Sequence, residues 1–325
     1  MTDTQLRTLP LAPAQVDSAL VKELVVISGK GGTGKTSVAA SFAVLAGNAV
    51  LADCDVDAAD LHLVLAPVIE ERHEFASGHR AVVREDDCTA CGACLTWCRF
   101  GALSVRDGSS IPAVDPLACE GCGVCVHLCP ERAFDFESRV CGTWYVSSTR
   151  CGPMVHARLG IAAENSGKLV ATVRAEARRA AARSGRGLII VDGPPGIGCP
   201  VIAAITGAAG VLLVTEPTVS GAHDVERALR LAGHFKIPAA VCVNRWDLCP
   251  EATERIEADA RRHGAEIAGR IRYDTSVTKA QLQARSVVEL GGAAAADIRA
   301  VWESVRRLLS TEASMASVGD GSSRI

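Results

Sequence analysis

The chain has 325 residues, of which 48% are hydrophobic and 22% are charged, and its formal net charge is −3. This length suits about two domains, and the charge gives no overall attraction to nucleic acid or to an anionic membrane. The longest apolar run, 201–214, is interrupted by two glycines and is shorter than the ~20 residues of a transmembrane helix. The N-terminus has no basic stretch followed by an apolar one, so we expect a cytoplasmic protein whose fourteen cysteines serve metal or redox chemistry rather than disulfide bonds.

Strand and helix patterns alternate through most of the chain. Continuous apolar runs predict strands buried on both faces at 22–28, 49–53, 187–192, 210–216 and 239–244. Helical patterns lie at 36–46, 169–183, 221–234, 251–263, 274–284 and 295–309. This alternation predicts an α/β fold with a mostly parallel sheet and helices on both faces. The polar segments 1–20 and 310–325 are expected to be a flexible extension and a flexible tail.

Between residues 68 and 140 the alternation stops and cysteine spacing dominates. We interpret this segment as a small α+β domain inserted into the first, which then comprises residues 21–67 and 141–309. Residues 143–183 are interpreted as a long connection that ends in the helix at 169–183.

A glycine-rich segment, VISGKGGTGKTS, lies between the first predicted strand and the first predicted helix. Its spacing satisfies the phosphate-binding pattern G-x-x-x-x-G-K-[ST], and the flanking strand and helix are the context that the pattern requires. A glycine-rich turn that matches by chance is the alternative. Loop amides and the helix N-terminus would bind phosphates, Lys35 would reach the β- and γ-phosphates, and the Thr36 hydroxyl would bind Mg²⁺. The predicted nucleotide-binding loop comprises Gly29, Gly31, Gly32, Thr33, Gly34, Lys35, Thr36 and Ser37.

A second lysine in the loop, Lys30, makes the segment similar to the deviant P-loop of the MinD/ParA/Mrp ATPases, to which the nitrogenase iron protein is related. The segments LADCDVD (51–57), IIVDGPPG (189–196) and TEPTVSGAHD (215–224) also resemble that family. The resemblance implies a P-loop ATPase that binds ATP and Mg²⁺ and forms a homodimer, in which Lys30 contacts the nucleotide of the partner. It also implies that Asp55 positions the attacking water, that Asp192 holds Mg²⁺ through water, and that Asn244 contacts the adenine.

Eight cysteines form two C-x₂-C-x₂-C-x₃-C runs, CTACGACLTWC and CEGCGVCVHLC. Both runs resemble those of bacterial two-cluster ferredoxins, in which the fourth cysteine of each run ligates the other cluster. Zinc is the competing interpretation, although zinc sites rarely use this triple spacing twice. The resemblance implies two [4Fe–4S] clusters. The first would be held by Cys88, Cys91, Cys94 and Cys129, and the second by Cys119, Cys122, Cys125 and Cys98.

Cys199 follows Asp192 by seven residues, the offset at which the nitrogenase iron protein has a cluster ligand at its dimer axis. We expect a metal site at a dimer axis with Cys151 as the second ligand. A buried thiol at the start of a helix is the alternative.

Two functions follow from these features. The first is a Mg²⁺-dependent ATPase whose nucleotide-gated dimer couples hydrolysis to electron transfer or metallocluster assembly with an unidentified redox or metallocluster protein. The second is a positioning ATPase like MinD and ParA, with structural or redox-sensing clusters. The apolar stripe on 295–309 is typical of a core-facing helix rather than a membrane-binding one. Neither membrane nor nucleic-acid binding is therefore expected.

Overall fold

The structure, a computed structural model, describes residues 21–160 and 166–316, with side chains up to residue 310. These residues form two compact units. The first comprises 21–72, 144–158 and 166–316, and the second comprises 73–143 with 159–160, against 68–140 for the predicted insertion. The predicted extension, 1–20, lies outside the described residues, as do residues 317–325 of the predicted tail.

A large sheet organises the first unit. The strands of the described chain are β1 (Lys22–Ser28), β2 (Val50–Asp53), β3 (Val68–Val83), β4 (Leu103–Val105), β5 (Pro112–Val114), β6 (Phe134–Thr149), β7 (Gly152–Leu159), β8 (Leu188–Pro195), β9 (Gly210–Thr215), β10 (Ala239–Asn244) and β11 (Glu266–Ile271). Nine of them form one sheet in the order β11-β10-β9-β1-β8-β2-β7-β6-β3. The pairings from β11 to β7 are all parallel, which confirms the predicted α/β class.

The described residues form eleven α-helices, nine of which belong to the first unit. They are α1 (Lys35–Ala46), α2 (Leu61–Leu65), α3 (Ala93–Trp97), α4 (Val124–Leu128), α5 (Ser166–Ser184), α6 (Cys199–Ile205), α7 (Val219–His234), α8 (Pro250–Arg262), α9 (Ser276–Gln281), α10 (Val287–Leu290) and α11 (Ala293–Ala316). The last helix continues seven residues beyond its predicted end at 309, so residues 310–316 of the predicted tail are helical. No helix among the described residues is long and apolar enough to span a membrane.

The core of the first unit consists mainly of aliphatic side chains. Every residue of β9 is buried, as are six of the seven residues of β1, because a parallel strand is covered on both faces. Phe42 of α1 and Trp302 of α11 pack with ring centroids 4.8 Å apart. The predicted stripe of α11 faces this core: Ile298, Val301, Trp302, Val305 and Leu308 are all buried.

The region after the cysteines differs from the prediction. Residues 143–159 are not a connection, because β6 and β7 occupy them and are joined by two residues only, the length of an antiparallel hairpin. β7 adds to the parallel sheet beside β2. Its sequence, GPMVHARL, mixes buried and half-buried positions, so it lacks the continuous apolar run that marks the other strands.

The second unit is small and has its own secondary structure. It contains the short helices α3 and α4, the antiparallel pair β4 and β5, and long parts of β3 and β6. The chain enters this unit within β3 and leaves it within β6. The short segments between these strands carry all eight cysteines of the two runs.

A buried ion pair links α5 to the first strand. Arg174 donates two hydrogen bonds to Glu23 Oε2, at 2.8 and 2.6 Å, and two more to the carbonyls of Ala203 and Thr206. Both charged side chains are at most 5% exposed. Arg178 also contacts Glu23, from a more exposed position.

Arg174→Met is expected to lower the free energy of unfolding by about 3 kcal/mol, because it removes one partner of a buried pair and leaves two carbonyls without a donor. Urea denaturation followed by circular dichroism measures the change. Arg179→Met on the same helix is the control, since Arg179 is 67% exposed and pairs, among the described residues, only with Glu176, one turn away on α5. Equal denaturation midpoints for the two variants would contradict this prediction.

Candidate functional site

The glycine-rich loop connects β1 to α1 and has a backbone that requires glycine. Gly34, which precedes α1, has a φ of 90°, in the left-handed region that favours glycine. A Cβ added there would lie 2.4 Å from Asn244 Nδ2. A Cβ on Gly29 would lie 2.0 Å from the Cβ of Asp224 on α7. The loop is therefore enclosed by α7 on one side and by the end of β10 on the other.

Lys35, the first residue of α1, lies between two carboxylates. Its Nζ is 3.1 Å from Asp55 Oδ2 and 3.0 Å from Asp192 Oδ1. Asp55 follows β2 and Asp192 is on β8, which are adjacent parallel strands, so both acids lie at the carboxyl edge of the sheet. Burial alone would lower the pKa of Lys35, but the charges of Asp192 and Asp55 outweigh it and the pKa is raised. Lys35 is thus a cation held in a fixed position at the carboxyl edge of the sheet.

One further acidic residue lies at this edge. Asp53, fully buried, accepts hydrogen bonds from the backbone amides of Asp55 and Leu61, both at 3.2 Å. Burial raises the pKa of Asp53, and the neighbouring charge of Asp192 raises it further. Burial also raises the pKa of Asp192, while Lys35 and the Thr36 hydroxyl oppose that shift. The site therefore holds more carboxylate than cation, which favours an added positive charge.

The oxygens around Thr36 suit Mg²⁺. Asp192 is fully buried, and its Oδ2 makes no hydrogen bond with the residues that the structure describes. Thr36, which follows Lys35 in α1, lowers the pKa of the same carboxylate through its hydroxyl, so this oxygen lies near Asp192. Mg²⁺ binds through one or two protein oxygens together with substrate phosphates and water. The residues present therefore fit the expected ion.

A broad pocket opens over the loop at this edge of the sheet. It is lined by the loop, by Asp55, by Asn244 and Arg245, and by residues 271–284, including Tyr273. Asn244 Nδ2 donates to the Thr33 carbonyl at 2.8 Å and so joins the end of β10 to the loop. Lys35 of the loop and Asn244, the residue expected to contact the adenine, therefore line the same pocket.

Lys30 lies at the surface of the loop rather than in its interior. Its Nζ is 3.2 Å from Ser220 Oγ, 3.5 Å from Thr218 Oγ1 and 3.8 Å from Glu216 Oε2. The side chain is 37% exposed. The two lysines of the loop therefore point to different surroundings, one buried among carboxylates and one at the start of α7.

Several contacts of this site carry no signal in local sequence spacing. Gln281 of α9 donates a hydrogen bond to the Ser37 hydroxyl at 2.8 Å. Asp224 packs directly against Gly29, and Arg245 forms an ion pair with Glu216. Each joins segments far apart in the chain. Glu216 and Asp224 do fall in the segment TEPTVSGAHD, which pointed to the region but not to these contacts.

The cysteines of the second unit line two separate pockets. Each pocket takes three cysteines from one run and the fourth from the other. One is lined by Cys88, Cys91, Cys94 and Cys129, and the other by Cys119, Cys122, Cys125 and Cys98. These are the two sets that the ferredoxin resemblance implies.

The loops around these cysteines turn through left-handed glycines. Gly92, Gly121 and Gly123 have φ values of 74°, 62° and 75°. A Cβ on Gly121 would lie 2.2 Å from the His79 carbonyl, so that turn also needs the space. Within the described residues no three His, Cys, Asp or Glu side chains converge on a single-ion site. A [4Fe–4S] cluster is ligated instead at four separate irons, and four thiolates around a shared pocket fit it.

The expected joint site of Cys199 and Cys151 requires correction. Cys151 immediately precedes β7, whereas Cys199 follows β8 and begins α6. Because β7, β2 and β8 are adjacent and parallel, the two thiols lie at opposite edges of the sheet. Cys151 is also buried in the core, while Cys199 is exposed. The structure does not bring them together, and a role for Cys199 alone stays a prediction.

Comparisons with known proteins agree with the geometry of the loop. A family model described as the CobQ/CobB/MinD/ParA nucleotide binding domain matches residues 24–287. An uncharacterised protein of Methanocaldococcus jannaschii is 31% identical over 231 residues, which are 70% of this chain and 79% of that protein. A segment of 53 residues is 40% identical to indolepyruvate oxidoreductase subunit IorA of Pyrococcus abyssi and covers 16% of this chain and 8% of that one.

Solved structures share the fold. The septum site-determining protein MinD of Pyrococcus horikoshii OT3, complexed with Mg-ADP, superposes with a TM-score of 0.52 at 18% identity. The match covers 89% of this chain and 97% of that one. At this identity the similarity concerns the fold.

Lys35→Ala is expected to weaken nucleotide binding by roughly a hundredfold or more, because it removes the charged donor from the loop. Titration with a fluorescent ATP analogue measures the affinity. Because the variant leaves Asp55 and Asp192 without their cation, circular dichroism checks that it still folds. Lys236→Ala is the control, because it removes an exposed lysine between α7 and β10 that does not line the pocket. A folded Lys35→Ala variant with the parent's affinity would show that the loop is not the phosphate site.

Proposed function

The chain belongs to the CobQ/CobB/MinD/ParA family of nucleotide-binding domains, and we propose that it is a Mg²⁺-dependent ATPase whose dimer works with two [4Fe–4S] clusters of its second unit. The observation that carries the proposal is the pairing of two sites in one chain. One is the lysine held by Asp55 and Asp192, and the other is the pair of four-cysteine pockets. The family supports nucleotide binding, and the cysteines support the redox function.

Hydrolysis would follow from the positions of four side chains. Lys35 would bind the β- and γ-phosphates. Its ammonium, which pairs with Asp55 and Asp192 in this structure, would then also pair with the phosphate oxygens. The Thr36 hydroxyl and Asp192 would hold Mg²⁺, which would neutralise charge on the phosphates. Asp55 orients a water molecule that attacks the γ-phosphorus, the bond to the bridging oxygen breaks, and ADP and phosphate leave. The negative charge that develops on the phosphate oxygens during the reaction is stabilised by groups that are already fixed in place, which is the usual source of catalysis in phosphoryl transfer.

Lys30 would act on the nucleotide of a second subunit. Its ammonium lies outside the buried group that surrounds Lys35, so it does not serve the same phosphates from within its own chain. An exposed cation next to the nucleotide loop can neutralise charge that develops on a facing phosphate. Two chains that face each other across their nucleotides would each supply one such lysine. ATP would therefore be needed to hold the homodimer together.

The cysteines would ligate the clusters in the crossed sets that line the two pockets, and the clusters, when bound, supply one-electron transfer. The role that best fits an ATPase joined to such a unit is ATP-dependent electron transfer to, or metallocluster assembly with, a protein partner. The 53-residue similarity to an oxidoreductase subunit adds support to a redox role.

A positioning ATPase is the second candidate, and the similarity to the septum site-determining protein MinD supports it. In that case the clusters would be structural or would sense redox state. The two functions differ in what the dimer binds. Retention of the ATP-bound dimer on DNA or on anionic vesicles, lost as salt rises, would favour positioning. Absence of such binding together with ATP-dependent capture of a redox protein would favour the first function.

Anaerobically purified protein is expected to contain about eight irons per chain, as two four-iron clusters require. Cys122→Ser should lower this to about half, because one set of ligands is broken and the other is intact. Iron analysis and visible absorbance measure the content. Cys249→Ser is the control, since Cys249 lies outside both pockets. Stoichiometric zinc without cluster absorbance would refute the assignment.

Lys30→Ala is expected to bind ATP but to lose hydrolysis and ATP-dependent dimerisation. Mixing it with Asp55→Ala should restore turnover, because a mixed dimer has one complete site, with Asp55 from one chain and Lys30 from the other. Phosphate release across a range of mixing ratios measures the rescue. If the mixture stays inactive while Lys30→Ala dimerises like the parent protein, Lys30 does not act in trans.

A further inference from the structure

The surroundings of Lys30 contain an unexpected restraint. In addition to two hydroxyls of the α7 N-terminus, its ammonium faces the Glu216 carboxylate at 3.8 Å. These groups belong to the same chain as Lys30. A lysine that reaches a phosphate of another subunit must leave them, so their attraction opposes that movement.

Glu216 is held firmly in this position. It lies in the short turn between β9 and α7, where its backbone carbonyl accepts a hydrogen bond from the Thr218 amide at 2.8 Å. A Cβ on Gly221 would lie 2.4 Å from the same carbonyl, so the turn packs tightly against α7. The Glu216 side chain is only 14% exposed. The carboxylate is therefore a fixed point against which the more exposed Lys30 rests.

A second cation competes for this carboxylate. Arg245 Nη1 contacts Glu216 Oε1, while Lys30 faces Oε2. Arg245 follows Asn244 and donates its backbone amide to the Asn244 side chain at 3.0 Å, and both residues line the nucleotide pocket. The hold of Glu216 on Lys30 thus depends on a residue that adjoins the nucleotide.

We propose that Glu216 is a positioning residue that restrains Lys30 on its own chain, and that Arg245 weakens this restraint by sharing the carboxylate. The inference rests on the proposed action of Lys30 in trans. Glu216 would not touch the nucleotide; it would set how readily the lysine becomes available to a partner. The restraint keeps the chain monomeric until the nucleotide provides a stronger anion than the carboxylate.

Glu216→Gln keeps the shape of the side chain and removes its charge. The dissociation constant of the dimer, measured by analytical ultracentrifugation with Mg²⁺ and a non-hydrolysable ATP analogue, should fall by about fivefold, because a dimer releases two such restraints. The affinity of the monomer for the nucleotide, measured separately, should not change. Glu226→Gln on α7 is the matched control, since Glu226 pairs with Arg230 at the surface and should leave both constants unchanged.

Arg245→Gln should act in the opposite direction. Without its competitor, Lys30 is held by the full charge of Glu216, and the dimer dissociation constant should rise by about fivefold at saturating nucleotide. The double variant Glu216→Gln/Arg245→Gln should behave like Glu216→Gln alone, because no carboxylate remains for Arg245 to share. A purely structural role of these residues predicts instead that both single variants weaken the dimer.

Two outcomes separate the possible failures. If Lys30→Ala dimerises like the parent protein, the proposed action in trans is wrong and the restraint has no function. If Lys30→Ala fails to dimerise but Glu216→Gln and Arg245→Gln each match the parent protein, Lys30 acts in trans without restraint, and the role of Glu216 proposed here is overturned. Opposite shifts of the dimer dissociation constant in Glu216→Gln and Arg245→Gln, with the double variant matching Glu216→Gln, support it.

Discussion

The ion pairs of Lys35 with Asp55 and Asp192, at 3.1 and 3.0 Å, organise the carboxyl edge of the sheet. Buried carboxylates are strongly unfavourable without a cation, so Lys35 must be held where three strands and one helix converge. The parallel order of β1, β8 and β2 brings these residues together from distant parts of the chain. The glycines of the loop, the direction of α1 and the nucleotide pocket all follow from this arrangement. A phosphate that enters the pocket meets a cation already in place and carboxylates that favour a metal ion.

The second unit obeys a different constraint. Each pocket must be completed by a cysteine from the other run, so neither run can form its site alone. The short helices α3 and α4 each end directly before such a crossing cysteine, Cys98 and Cys129. A unit with this little apolar core would gain stability from the proposed clusters, because metal binding and folding are linked in small metal-binding units. The first unit, with its large aliphatic core, has no such need.

Features that depend on neighbours in sequence were predictable, and features that depend on tertiary contacts were not. The strands β1 and β9 were predictable as continuous apolar runs, because both of their faces are covered. The phosphate loop and the cysteine runs were predictable from the spacing of their residues. The strand β7 escaped prediction because half-buried positions interrupt its apolar residues. Contacts such as Gln281 with Ser37, or Arg245 with Glu216, join remote segments and have no local pattern. The same reason explains Cys151 and Cys199: the spacing that singled out Cys199 could not show that the parallel sheet holds Cys151 away from it.

Coupling of ATP hydrolysis to the clusters requires one chain to carry both an ATP-dependent dimer interface and two clusters. Native mass spectrometry of anaerobically purified protein, with Mg²⁺ and a non-hydrolysable ATP analogue, tests this in a single measurement. The predicted species is a dimer that retains two nucleotides and about sixteen irons, four clusters in all. With ADP the same clusters should appear on monomers. A nucleotide-bound species that stays monomeric, or a dimer that carries no iron, would contradict the account.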